Sequence, residues 1–173
     1  LKDQHVSINL APRQFKDQDL VTLFTRAMSE YNIEASALSV EITERTLIDN
    51  IGEVEGTLKK LRRMGMRILL DDFGTGYASL AYLKEFPVDV VKIDRTFISG
   101  IPDNREDTAI VDAITGLTRG LNLNLLAEGV ENDRQLKVLK DAGCHYAQGY
   151  YWSKALPGDE YEQFFINQIY NIG

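Results

Sequence analysis

The chain has 173 residues, 44% hydrophobic and 26% charged, with a formal net charge of -7, which describes one globular domain able to bury roughly 70% of its unfolded surface. That acidity argues against a nucleic-acid-coating surface, DNA included, because counterion release needs clustered Lys and Arg. One Cys and two His can form neither an internal disulfide nor a structural zinc site, so any metal would be a hard cation held by oxygen.

The first predicted strand is "HVSINL", closed by Asn9, and it is followed by a helical stripe of Leu20, Phe24, Ala27, Met28 and Tyr31. "ALSVEIT" is the second strand, and Ile51, Val54, Leu58 and Leu61 mark the next helix. "MRILLDD" and "VDVVKID" are the third and fourth strands. A helix with Ile110, Ile114, Leu117 and Leu121 leads to the fifth, "NLNLLAEG". Leu136, Leu139 and Ala142 define a shorter helix before the weakest strand, "CHYAQGYY". Gly65, Gly120 and Gly143 stand where three of these helices should stop in a left-handed cap. No apolar run approaches the 18 or so residues of a membrane span and no signal-peptide pattern is present, so the segment reads as cytoplasmic. Anchoring of a longer protein through other regions stays open.

Strand and helix alternate throughout, which implies parallel strands with right-handed crossovers, in an open doubly wound sheet or a barrel. Each strand carries a polar residue at or near its end: Asn9, Glu41, Asp71 with Asp72, Lys92, Glu128 and Gln148. From Asn9 to Gln148 these recur about every 28 residues, close to the βα repeat of an eight-unit barrel of about 250 residues. An open sheet gathers its site at one switch point, so six contributing strands favour the barrel. The expected architecture is α/β, a (β/α)8 TIM-like barrel of which this chain supplies about six units, with about two units lacking at its front.

Taken singly, these residues have plainer explanations. Asp71 and Asp72 could be an N-cap and its solvated neighbour, with "DDFGTGYASL" opening a helix. Lys92 could fill the barrel by pairing with Asp94 or a neighbouring strand's carboxylate. Glu128 and Glu131 could be the acidic start of the helix after Asn132, and Cys144 a small core residue. Glu41 is harder to dismiss, because an unpaired carboxylate on a buried strand costs several kcal/mol, on the order of the penalty for any buried charge.

Together, "INLAPRQF", "SVEITE", "LLDDFGTGYASL", "VVKIDRTF", "LLAEGVE" and "AQGYYWSKALP" run in order from Ile8 to Pro157 and resemble the EAL domain family, bacterial phosphodiesterases that hydrolyse cyclic di-GMP. Ala11 and Ala78 stand where the family more often has serine. The Glu-Ala-Leu signature, with its metal-binding Glu and nearby substrate-binding Arg, would lie before Leu1. The resemblance implies two Mg²⁺ or Mn²⁺ ions about 3.5–4 Å apart, with Asn9, Glu41, Asp71, Asp72 and Glu128 as metal ligands. Glu128 is a ligand or the proton acceptor for the attacking water, and Lys92 orients that water or balances charge at the phosphate. Glu131 and Gln148 support this shell, Glu44 anchors the "DFGTGYASL" loop, and Gln14 is a candidate guanine contact. Gly74 and Gly76 would let the chain turn so that both aspartates face the metals. A homodimer and an upstream sensory or GGDEF domain are further expectations.

Three functions are then in play. One is metal-dependent hydrolysis of cyclic di-GMP to linear pGpG by in-line attack of water. Another is a receptor of the same fold that binds cyclic di-GMP without cleaving it; degenerate members lose site carboxylates, and this chain keeps every one it is long enough to contain. The third is a barrel glycosidase, which needs two carboxylates but no Asn, Lys and double-Asp set.

Overall fold

The computed structural model describes residues 5–17, 19–49, 51–75 and 80–170. All six expected strands form: β1 (Val6–Asn9), β2 (Leu38–Thr43), β3 (Arg67–Phe73), β4 (Val90–Ile93), β5 (Asn124–Glu128) and β6 (Tyr146–Gln148). They make one sheet in which every neighbouring pair is parallel and spatial order equals sequence order. A doubly wound sheet reverses its order at a switch point, whereas a βα barrel adds each strand beside the last. The order is that of the barrel.

The helices α1 (Pro12–Asp17), α2 (Leu20–Tyr31), α3 (Glu44–Asp49), α4 (Ile51–Arg63), α5 (Leu80–Glu85), α6 (Arg95–Gly100), α7 (Arg105–Gly120), α8 (Asp133–Ala142) and α9 (Gly158–Tyr170) fill the crossovers and the C-terminal segment. Those of the crossovers pack on one face of the sheet. Val40 and Ile42, Ile68 and Leu70, Val91 and Ile93, and Leu125 and Ala127 alternate along the strands and join Val54, Leu58 and Leu61 of α4 in one core. Each of these α4 side chains is at most 1% exposed, and burying one contributes about 1.5–3 kcal/mol. Helix starts are capped by Asp19, Asp94, Asn104 and Asn132, each accepting a first-turn backbone N–H.

Two details differ from the sequence reading. Gly120 is the last helical residue of α7, and Asn122, at φ 56°, takes the left-handed position instead; Gly65 and Gly143 do adopt it. Tyr31 is 68% exposed and lies off the buried stripe of α2, where Leu20 and Phe24 carry the packing.

Candidate active site

Because successive strand residues point to opposite faces, the residues between the core positions face away from the helices. On β2 these are Ser39 and Glu41, on β3 Leu69 and Asp71, on β4 Val90 and Lys92, and on β5 Leu126 and Glu128. A barrel turns this face inward, and its polar members lie near the C-terminal strand ends. Lys92 draws three of them together. Its Nζ lies 2.7 Å from Glu41 Oε2, 3.0 Å from Asp71 Oδ1 and 2.7 Å from Glu128 Oε1. Carboxylates from three strands thus share one buried ammonium carried by a fourth, Lys92 being 3% exposed.

Burial opposes the charge on Lys92, but its hydrogen bonds to Glu128, Glu41 and Asp71 outweigh that cost and hold the ammonium above its ordinary pKa. Burial also raises the Glu128 carboxyl; Lys92 pulls it down, while Asp71 and Glu41 push it further up. Gln148, paired in register with Glu128 on β6, donates from Nε2 to Glu128 Oε1 at 2.7 Å. Asn9 lies opposite Glu41 in the register of β1 and β2.

The adjacent aspartates are explained by a bulge. The pairing of β3 with β4 steps from Leu70 with Val91 to Phe73 with Ile93, so one extra residue is accommodated on β3. Asp72 absorbs it at φ 54°, a conformation that Asp tolerates better than most side chains. Its N–H donates to Asp71 Oδ1 at 3.0 Å, and its carbonyl accepts from the Thr75 hydroxyl at 2.7 Å. The chain therefore turns at Asp72 itself, before Gly74, and the pair belongs to a strand rather than to a helix cap. Gly76 and Ala78 lie outside the described residues.

The other expected residues are more dispersed. Glu44 is the first residue of α3, 4% exposed and partnered; α3 packs on β2 and β3, but residues 76–79 of the loop it was expected to anchor lie outside the described residues. Gln14 accepts the Ala11 N–H through Oε1 at 2.8 Å, a local tie at the start of α1. Glu131 is exposed and pairs with Arg95 at 2.6 Å. It precedes α8, whose first turn holds only Asp133 as an acid. Cys144 packs against the core with its thiol pushed up by burial. A cleft of about 600 Å³ opens beside Glu128, with Arg95, Tyr150, Trp152 and Lys154 in its walls. Sequence reasoning passed over Arg95 and Gln135, although the Asn132-x-x-Gln135 spacing is a helix-start signal.

The EAL domain family model matches residues 1–155. The chain belongs to the EAL domain family. It is 38% identical over 159 residues to the cyclic di-GMP phosphodiesterase NbdA of Pseudomonas aeruginosa, covering 92% of this chain and 20% of NbdA. The cyclic di-GMP complex of the PaMucR phosphodiesterase superposes with a TM-score of 0.87 at 39% identity, over 92% of this chain and 65% of that one. A manganese and cyclic di-GMP complex of Klebsiella pneumoniae BlrP1 gives a TM-score of 0.80 at 28% identity, over 87% of this chain and 38% of the other. The chain spans about a fifth of the length of the first curated relatives it matches.

An EAL domain's expected divalent ions can be tested against these side chains. Among the described residues no three His, Cys, Asp or Glu side chains form a ready cage; three of the carboxylates converge on Lys92 instead. The donor chemistry nevertheless fits a hard cation, because Glu41, Asp71 and Glu128 share a single ammonium and Asp72 stands beside them with no ion pair of its own to that ammonium. Asp72 gains from a cation: burial first, then repulsion from Asp71 and Asp94, raises its pKa, with Lys92 only partly opposing. A carboxyl raised in this way binds its proton more tightly folded than unfolded, so its ionised form destabilises the fold at neutral pH and the penalty is relieved as pH falls through the folded pKa. Asp72→Asn is therefore expected to raise the melting temperature of the metal-free EAL domain while weakening Mg²⁺ and Mn²⁺ binding. Calorimetry with and without metal reads both; a lowered metal-free melting temperature goes against this account.

Proposed function

We propose that this EAL domain hydrolyses cyclic di-GMP to linear pGpG in a reaction that depends on two Mg²⁺ or Mn²⁺ ions. The observation that carries the reading is the convergence of Glu41, Asp71 and Glu128 on Lys92 at the ends of four adjacent strands. A glycosidase needs a pair of carboxylates and has no use for an ammonium bonded to three. The names of NbdA and PaMucR as phosphodiesterases support the substrate.

Asn9, Glu41, Asp71 and Asp72 would hold the ions, which when bound supply Lewis acidity that acidifies water and positive charge that offsets the phosphate. The remaining roles belong to the chain. Glu128 takes the proton of the attacking water, and Oε2 is the atom that receives it, because Oε1 already accepts from Lys92 and Gln148. Burial raises the Glu128 carboxyl toward the range useful to a general base. Lys92 keeps its charge at working pH, so it balances charge at the phosphate without giving up a proton. Glu44 anchors the segment after Phe73, Glu131 and Gln148 brace the end of β5, and Gln14 marks the side where a guanine is read. In the longer protein we assign a sensory or GGDEF domain to the sequence outside this chain, and dimerisation to the domain. Among the described residues no helix is long and apolar enough to cross a membrane.

The test is product analysis on the protein at its natural length, with cyclic di-GMP and Mg²⁺ or Mn²⁺. Linear pGpG should form, chelator should abolish it, and restored metal should recover it. Tight binding without turnover would make the domain a receptor; turnover that ignores chelator would exclude the metal-dependent reaction.

A further inference from the structure

Two residues outside this machinery take hold of the same short turn. The turn is Glu128-Gly129-Val130-Glu131, which leaves β5 and begins with the carboxylate that meets Lys92. Gln135, on α8, is 4% exposed, unusual for a polar residue in a helix's first turn. A buried amide is strongly disfavoured unless its donor and acceptor are both used, and here both are. Its Oε1 accepts the N–H of Glu131 at 2.8 Å, and its Nε2 donates to the carbonyl of Ile98 at 3.0 Å. One side chain thereby joins the turn to α6.

Arg95 makes the same connection from the other side. It is the first residue of α6, two residues after the end of β4, and its guanidinium donates to Glu131 Oε1 at 2.6 Å. Its stem lies across Gly129, where a Cβ would stand 2.3 Å from Arg95 Cγ. Only glycine, here at φ 73°, allows that approach. The guanidinium also lies 5.8 Å from the centre of the Tyr150 ring. An exposed ion pair by itself contributes little, but this one closes on a turn already tied at its backbone. Val130 donates its N–H to the Gln148 carbonyl at 3.0 Å, and its own carbonyl accepts from Tyr151 at 2.9 Å.

We propose that Gln135 and Arg95 are positioning residues that clamp the 128–131 turn to α6, and so to the strand that carries Lys92. The ends of β4 and β5 then move as one body, and Glu128 Oε1 stays at its 2.7 Å hydrogen bond with Lys92. Loosening the clamp lets Glu128 drift while Lys92 keeps Glu41 and Asp71. The kinetic half of this inference rests on the phosphodiesterase reading; the structural half does not.

The test uses the protein at its natural length, with Gln135→Leu, Arg95→Ala and Arg95→Lys. Amide hydrogen exchange is followed at Val130 and Glu131, beside steady-state kinetics on cyclic di-GMP. In Arg95→Ala the two amides should exchange about tenfold faster, and kcat should fall about tenfold with KM changed less than about twofold. Arg95→Lys, which keeps the cation, should recover most of both. Gln135→Leu should act in the same direction and more strongly, on the order of a hundredfold in kcat. If Gln135→Leu does not fold, the two Arg95 variants decide alone. Unchanged exchange in Arg95→Ala would overturn the clamp, as would a raised KM at constant kcat, which would make Arg95 a substrate contact. If the parent protein proves inactive the phosphodiesterase reading falls by itself, and the exchange rates still support or overturn the clamp.

Discussion

Lys92→Met is expected to remove turnover and to lower global stability by about 3–5 kcal/mol, the cost of deleting one partner from a buried charged cluster. Three carboxylates would be left facing one another with no ammonium between them. Urea unfolding beside a phosphodiesterase assay measures both effects. The pH dependence gives a sharper check. A lysine whose folded pKa is raised contributes stability that is fully present below its unfolded value and lost only as pH rises through the folded one. The wild-type contribution is thus complete at neutrality, and the deficit of the variant is largest there. Acidification should narrow the deficit, because protonating Glu128, whose carboxyl burial already raises, relieves a repulsion that only the variant suffers in full. Lys92→Arg separates the structural role from the chemical one. It keeps the charge but spreads it over a planar fork that cannot point three donors from one nitrogen, so much of the stability should return and little of the turnover. Full turnover in Lys92→Met would reduce Lys92 to a barrel-filling ion pair.

How much of this was legible in the sequence follows from how local each signal is. The middle four strands were, because a parallel strand covered by helices is a short run of large apolar residues between turn formers, while "HVSINL" and "CHYAQGYY" show that form more weakly. Glu41 and Lys92 stood out for the same reason, as charges in the middle of such runs. The bulge at Asp72 was not legible: the pattern puts two aspartates on opposite faces of a strand, and only pairing with β4 shows where the extra residue goes. Gly120 misled because it follows a helical stripe, while the left-handed turn falls on Asn122, whose side chain tolerates it. The ties of Arg95 to Glu131 and of Gln135 to Ile98 span 36 and 37 residues. They exist only once β4 and β5 lie side by side, so no periodicity reports them. Gln135 in particular reads as an ordinary helix-start residue until its burial is known.

Residues 1–173 produced alone are expected to hydrolyse cyclic di-GMP poorly or not at all, and to self-associate. The physical reason lies at the two ends of the sheet. Among the described residues β1 and β6 each pair with one neighbour only, so each leaves a row of backbone donors and acceptors without a ladder partner. Side chains there are correspondingly open: Val6 on β1 is 59% exposed and Tyr146 on β6 is 45% exposed. Open strand edges recruit strands from other chains, and a barrel removes that hazard by closing. Asn9 stands on one of these edge strands and Gln148 on the other, so both ends of the proposed metal and proton-transfer set lie where backbone support is weakest. In a longer protein, further strands laid against β1 would fix Asn9 beside Glu41 and supply any further ligand to the ions. Light scattering on the 173-residue chain and on the natural-length protein, with a metal-supplemented assay on each, compares the two states directly. The shorter chain should scatter as dimers or larger species and turn over slowly, while the longer one should be active with Mg²⁺ or Mn²⁺. Strong metal-dependent turnover by the 173-residue chain as a monomer would mean that the six strands suffice and that the ligand set named above is already complete.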